Sequence, residues 1–515
     1  MKISSINQIA NIYKPVLNKV APQPRIINGL ITDTFTKSST TSNPIKPNTT
    51  TPSFTGFGEG FSFNKTFQKL PYEQKLKVCE EQERLQKMYT SRKNEHVTTT
   101  FNKSDYSPNN EFEITAYAGG LTHSVYLDKE MNRIGEQKLY YYEKNDKVYR
   151  IKKAIDYRNN TTTKVRAEVP KNNGNPEVTD EVRIVRDKDK NIVRKEMMTH
   201  SEVTGAYDHK YVYPDGTEKV ITTARRFKEN GKDVIHKDMT SLDGTRTQYN
   251  LEFDQNGNKK LEYKITDKKG NVLMNLNRSM ERLSENKVRT TNGDKVYDVT
   301  FEPDKFTIQE KGKDAVVVPL LDNRKDGEGV VIEGDKSKMV GLLQKLPADQ
   351  LLAIHNTVRT IAECSGNQSS YMPALKRIKT INETFTILHE TGHAIDFRNS
   401  SPFKRNASIN NDKDLQKIFN KEKKAFNNAY PDAQRNHIDY FLRGKQGNLV
   451  EVVAETNALR DSYTQEMDLA KRNQYLQQFF PRTIAYINDK LENYNSWILA
   501  SNYPCTLSLR QIFKS

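Results

Sequence analysis

Apolar residues follow two rhythms along this chain, and the change of rhythm divides it. From about residue 110 to residue 310 they recur at every second position in short runs. Tyr249, Leu251 and Phe253 share one face of such a run while Asn250 and Glu252 share the other. Leu261, Tyr263 and Ile265 repeat the pattern, as do Tyr297, Val299 and Phe301. A period of two, with one apolar and one wet face, predicts strands of an antiparallel sheet. Asp215-Gly216, Asn230-Gly231, Asp243-Gly244, Asn256-Gly257 and Lys269-Gly270 punctuate the runs, mostly thirteen residues apart. Asn-Gly and Asp-Gly favour type I′ hairpin turns, because both central residues can take positive φ. The prediction is a long antiparallel β-meander built as a repeat array. It holds no catalytic constellation, since His200, His209 and His236 lack ligand spacing.

From about residue 336 the rhythm becomes helical. Pro347-Ala348-Asp349 opens a segment in which Leu351, Ile354, Val358 and Ile361 fit one helix face. Asn367 to Lys379 has strand-and-turn character. Before the meander, residues 66–95 place Leu76, Leu85 and Met88 among Glu, Lys and Gln, which predicts a helix. Residues 1–60 are rich in Ser, Thr, Pro and Asn, as in Thr34 to Pro52, and are expected to be disordered. The expected organisation is therefore multidomain. A leader (1–60) and a helical segment (61–100) precede an all-β meander scaffold (101–335) and an α+β C-terminal domain (336–515).

Composition adds exclusions. The 515 residues carry a formal net charge of +16, but 81 Lys and Arg stand among 65 Asp and Glu along most of the chain. That distribution reads as a solvated surface, and no nucleic-acid partner is expected. Cys79, Cys364 and Cys505 are too few and too far apart for a disulfide framework. Met1 to Val20 lacks an apolar core of signal-peptide length, and no run approaches a membrane span. The expectation is a chain without a transmembrane segment or a Sec-type signal. Two compartments stay open, the cytoplasm and the exterior reached by another route.

The chemistry lies in Phe385-Thr386-Ile387-Leu388-His389-Glu390-Thr391-Gly392-His393-Ala394-Ile395-Asp396. This is an H-E-x-x-H segment. On a helix, His389 and His393 lie one turn apart on one face, where their imidazoles can meet a single Zn²⁺. Glu390 is rotated beside the metal, placed to take a proton from an activated water and return it to a leaving amine. Two neutral imidazoles and a carboxylate suit zinc with one open position. A third ligand is needed. Asp396 sits on the histidine face, but seven residues from His389, which is about 10 Å along a helix axis. A local structural or supporting role is expected for it. Asn448-Leu449-Val450-Glu451-Val452-Val453-Ala454-Glu455-Thr456-Asn457-Ala458-Leu459 is a second apolar helix with two acids at i and i+4. Burying such acids is costly without a partner, and a metal with a ligating histidine supplies one. The economical assignment makes Glu451 the third ligand and Glu455 the acceptor for the outer N–H of a bound histidine. Exchanged roles remain open.

His389 to Asp396, followed by Glu451-Val452-Val453-Ala454-Glu455, resembles the catalytic domain of the anthrax-lethal-factor-like zinc metallopeptidases, a gluzincin group that includes the Pro-Pro endopeptidases. The family pattern is H-E-x-G-H-x-x-D, then an E-x-x-A-E helix, and Gly392 and Ala454 fit it. The resemblance covers roughly residues 337–500. It implies an α+β zincin-like fold, Zn²⁺, and endopeptidase activity on a protein or peptide substrate. It also implies a tyrosine ahead of the ligand glutamate that hydrogen-bonds the developing oxyanion. Tyr440 is the nearest match, although it stands eleven residues before Glu451, further than in the best-known members. Tyr430 and His437 are the alternatives. An extended substrate is expected to join the edge of a small sheet formed around residues 356–380. The competing reading is a binding or adhesion protein built on the meander, with an inactive peptidase-like domain. Oligomeric state is open.

Overall fold

A computed structural model of the protein describes residues 61–62, 65–90, 97–103, 112–145, 147–169, 178–201, 204–322, 329–364, 369–381, 383–400, 407–429, 435–442, 448–463 and 467–500. The expected leader, residues 1–60, lies outside the described residues. The chain divides into two compact units. One comprises residues 1–105, 109–153 and 169–174; the other comprises residues 106–108, 154–168 and 175–515.

In the first unit, helices α1 (Lys65–Gln68) and α2 (Tyr72–Thr90) accompany antiparallel strands Thr98–Lys103, Phe112–Ala118, Leu121–Leu127 and Arg133–Lys144. Val78, Cys79, Leu85 and Tyr89 recur at helical spacing and are buried against Phe101, Ile114, Ala116 and Val125. Buried Tyr89 and His123 are bonded at 2.8 Å, and His123 reaches Glu136 at 3.2 Å.

The second unit opens with the meander. From Thr161–Val169 to Val316–Asp322, each strand pairs antiparallel with the next. Tyr249 stands opposite Tyr263 and Leu251 opposite Leu261, and all four are buried on one face. The turns differ from the expectation in type. Of the five turn dipeptides named from the sequence, Asn230-Gly231 alone has both residues at positive φ, as type I′ requires. At Gly216, Gly244, Gly257 and Gly270 the glycine alone does so, which is a type I turn closed by a glycine bulge. Aspartate side chains fix these turns. Asp254 Oδ1 accepts from the amides of Asn256 and Asn258, both at 2.9 Å, and Asn258 Nδ2 returns a bond to Oδ2 at 2.8 Å. Asp267 repeats the arrangement with Lys269 and Asn271.

Strand Val316–Asp322 ends the meander and starts a second sheet. Its first half pairs antiparallel with Lys305–Ile308, and Leu320–Asp322 pairs parallel with Val330–Ile332. Strands Thr360–Glu363 and Arg377–Thr380 continue in parallel, and Ser370–Met372 pairs antiparallel with the last of these. Among the described residues eight helices follow or intervene: α3 (Lys336–Leu343), α4 (Ala348–Thr357), α5 (Thr384–Asp396), α6 (Lys413–Ala429), α7 (Arg435–Leu442), α8 (Leu449–Leu459), α9 (Met467–Phe479) and α10 (Pro481–Ala500). The helix expected through Ile361 stops at Thr357, and Ile361 belongs to a strand. Thr357, Val358, Thr360 and Ile361 are β-branched, which favours extended backbone there.

Meander and helices share one core. A single buried cluster runs from Ile235 and Tyr249 through Leu342, Leu351, Ile387 and Val452 to Leu476, Ile484 and Tyr494. Helix α9 lies on strands Lys232–Thr240 and Arg246–Phe253, and α10 on Lys259–Thr266 and Val272–Arg282. Residues 335 and 336 therefore fall inside one compact unit.

Candidate metal centre

Helices α5 and α8 touch at a point where neither presents a bulky side chain. A Cβ added to Gly392 would lie 2.7 Å from Ala454 Cα and 3.1 Å from its carbonyl oxygen. That close approach brings the histidine face of α5 against the glutamate face of α8. Asn457, one turn along α8, donates to the Leu388 carbonyl at 2.8 Å and exchanges bonds with Gln350 of α4. Three helices are thus fixed around the H-E-x-x-H segment.

His389, His393 and Glu451 bring one donor atom each to a common point, all within 4.8 Å of one another. His389 Nε2 and Glu451 Oε2 are 3.2 Å apart, and His393 Nε2 and the same oxygen 3.6 Å. Two donors on one tetrahedral ion, with bonds of about 2.0–2.1 Å, stand about 3.3 Å apart, so these side chains fit such an ion. The three are 14, 12 and 19 % exposed, which leaves the cluster open on one side. On the closed side, Glu455 is fully buried and its Oε2 lies 2.9 Å from His389 Nδ1. An ionised carboxylate only accepts, so Nδ1 carries the proton and Nε2 faces the cluster.

Charge points the same way. Glu390, Glu451 and Glu455 gather at the cluster, and among the described residues the guanidinium bonded to one of them is that of Arg472, whose Nη2 donates to Glu455 Oε1 at 3.1 Å. With neutral histidines, three carboxylates against one cation leave two negative charges, which a divalent cation balances. The effect is felt by His389. Burial alone would lower its pKa, but Glu451 and Glu455 outweigh burial and raise it to about 10. Burial also works against ionising Glu451, yet bonds with both histidines hold its carboxyl well below the ordinary range.

Glu390 is 5 % exposed, and its Oε2 has no hydrogen-bond partner among the described residues. Burial raises its pKa, and His389 and His393 pull it partly back. Tyr440 of α7 donates to Glu451 Oε2 at 2.6 Å, so it faces the cluster. Burial, then the Glu451 carboxylate, keep its phenol protonated. The side chains of Tyr430 and His437 lie outside the described residues. Asp396 is fully buried at the end of α5, where Oδ1 accepts from the amides of Ile409 at 2.7 Å and Asn410 at 3.0 Å. It organises the chain after the helix and is not part of the donor cluster.

Arg472, Asn457 and Gln350 were not singled out in the sequence. Asn457 carries a usable signal, because it lies one turn beyond Val453 and Ala454 on a helix whose two acids are already accounted for by the donor cluster. Arg472 carries none, since α9 is polar on most sides. No protein-family model, no curated protein and no solved structure matches this chain.

Proposed function

We propose that the protein is a zinc-dependent endopeptidase of the lethal-factor-like gluzincin type, with a zincin-like arrangement in its C-terminal part. One observation carries the reading: His389, His393 and Glu451, the first and last 62 residues apart in sequence, bring their donor atoms to one point near Glu390, whose Oε2 has no hydrogen-bond partner among the described residues. Zinc held by these three side chains would supply Lewis acidity, polarising a peptide carbonyl and acidifying water. Glu390 takes the proton of the attacking water and delivers it to the leaving amine, and its raised pKa suits both transfers. Tyr440 remains a phenol and donates to the oxygen on which negative charge develops. Glu455 holds His389 in the tautomer that leaves Nε2 free.

An extended substrate adds to strand Ser370–Met372. Among the described residues this strand pairs on one side only, with Arg377–Thr380, and it lies against α5. Backbone pairing there leads a peptide past the H-E-x-x-H helix.

The test is metal analysis of the purified chain together with cleavage of a peptide library. One zinc per chain is expected, with cleavage slowed about 1,000-fold in Glu390→Gln while zinc stays bound. Zinc bound with no cleavage of any peptide would leave the meander-based binding protein as the better reading. Cleavage unchanged in Glu390→Gln would remove the assigned mechanism.

A further inference from the structure

Among the described residues helix α9 contributes no donor to the cluster, yet its Arg472 reaches Glu455 beside it. Arg472 is 16 % exposed and joins Glu455 to Tyr440. Its Nη2 donates to Glu455 Oε1 at 3.1 Å, on the oxygen opposite the one that faces His389. Its guanidinium carbon lies 4.4 Å from the centre of the Tyr440 ring and 5.3 Å from that of Phe441. Tyr440 in turn bonds to Glu451. The contacts form a closed circuit: Arg472 to Glu455, Glu455 to His389, His389 to Glu451, Glu451 to Tyr440, and Tyr440 back to Arg472. A planar guanidinium can donate in its plane and stack on its face at once, whereas an ammonium cannot.

The other contacts of α9 fix its position. Lys237 Nζ donates to Gln477 Oε1 at 2.8 Å, Thr247 Oγ1 to the Gln477 carbonyl at 3.2 Å, and Gln478 Nε2 lies 3.3 Å from His209 Nδ1. All three partners belong to meander strands.

We infer that Arg472 is a positioning residue for the metal centre, holding Glu455 against His389 and the Tyr440 ring beside the ligands, with the meander as the foundation that sets it. The inference rests on the metal-site reading. It predicts two separable effects. Through Glu455, Arg472 governs metal affinity; through Tyr440, it governs turnover.

The experiment is Zn²⁺ competition against a chromophoric chelator, using the full chain as wild type, Arg472→Gln, Glu455→Gln, the double variant and Arg472→Lys. Each glutamine variant is expected to weaken zinc binding by about 10- to 100-fold, the range for lost outer partners of ligating histidines. The double variant is expected to bind no more weakly than the weaker single variant, because both changes break one bond. Arg472→Lys keeps the charge beside Glu455 and loses the stacking. It is expected to bind zinc within a few-fold of wild type while kcat falls and KM holds, as in Tyr440→Phe. Wild-type affinity in Arg472→Gln, or losses that multiply in the double variant, would overturn the inference. If Arg472→Gln does not fold, Arg472→Lys decides, and an unchanged kcat there overturns the link to Tyr440. A wild type that binds zinc and cleaves nothing removes the peptidase reading but leaves the affinity cycle to judge the link to Glu455.

Discussion

Helix α8 begins in one cluster of buried charge and ends beside another. Its first half supplies Glu451 and Glu455 to the donor cluster. Directly after it, Arg460 and Asp461 enter a network with Arg278, Asp349 and Glu492. Arg278 pairs with Asp349 and lies 2.7 Å from Asp461, and Lys259 Nζ approaches the Asp461 carbonyl at 3.5 Å. In this second cluster Lys259, Arg278 and Arg460 meet Asp349, Asp461 and Glu492, so cations and acids match. It joins strand Val272–Arg282 to α4, α8 and α10 and is closed to solvent at its centre. The donor cluster is unlike it on both counts. With its histidines neutral, as metal ligation requires, it is left with two uncompensated negative charges, and its ligand side chains are part-exposed. Burial of charge alone does not mark a site; unbalanced charge on an open face does.

The comparison can be broken in several places. Glu390→Gln is expected to lower kcat about 1,000-fold with zinc retained, measured by peptide cleavage and metal analysis. Arg278→Met removes one partner from the balanced network and is expected to cost about 3–5 kcal/mol in denaturant unfolding. Zinc stoichiometry of the folded fraction should not change; loss of zinc from a folded Arg278→Met chain would show that the two clusters act as one. Gly392→Ala forces a methyl into the α8 backbone and is expected to cost about 1–3 kcal/mol, with weaker zinc binding as α5 and α8 separate.

Lys237 offers a third arrangement, a buried cation with no carboxylate partner among the described residues. Its Nζ bonds to Gln477 and lies 5.4 and 5.5 Å from the rings of Tyr249 and Tyr463. Burial lowers its pKa from 10.5 to about 7. The unfolded chain therefore holds this proton more tightly. The penalty is complete below pH 7 and is relieved as pH rises toward 10.5. Between pH 7 and 9 the stability of wild type should gain on Lys237→Met by at most about 1.4 kcal/mol per pH unit. A constant difference in unfolding free energy across that range would show that Lys237 is not a buried ammonium.

Much of this was legible in the letters, and the reasons differ by region. The meander was legible because strand period and glycine turns are local signals: Tyr263 and Leu261 declare their face without knowing their partners. Turn type was not, because it depends on the bond that Asp254 makes two and four residues on. The grouping of His389, His393, Glu451 and Glu455 was legible because residues four apart share one face of a helix. Asp396 was legible only as a supporting residue, and its partners, the amides of Ile409 and Asn410, have no side-chain signature. Arg472 was invisible, since its role comes from the packing of α9 on a sheet more than 200 residues upstream. The candidate ligands are a local pattern; their support is a tertiary one.

The continuous core has a consequence for how such a chain can be inherited. Ile484, Ile487 and Leu491 of α10 are buried in the same cluster as Tyr249, Leu261 and Tyr263 of the meander. Cut free at residue 336, the helices would turn that apolar face to water, and the fragment is expected to aggregate rather than fold. Recombination could not lift the histidines and glutamates onto another protein as a cassette. Whatever lineage carries this cluster has to carry the sheet beneath it, and drift in the sheet would be constrained by the side chains that α9 holds against the cluster.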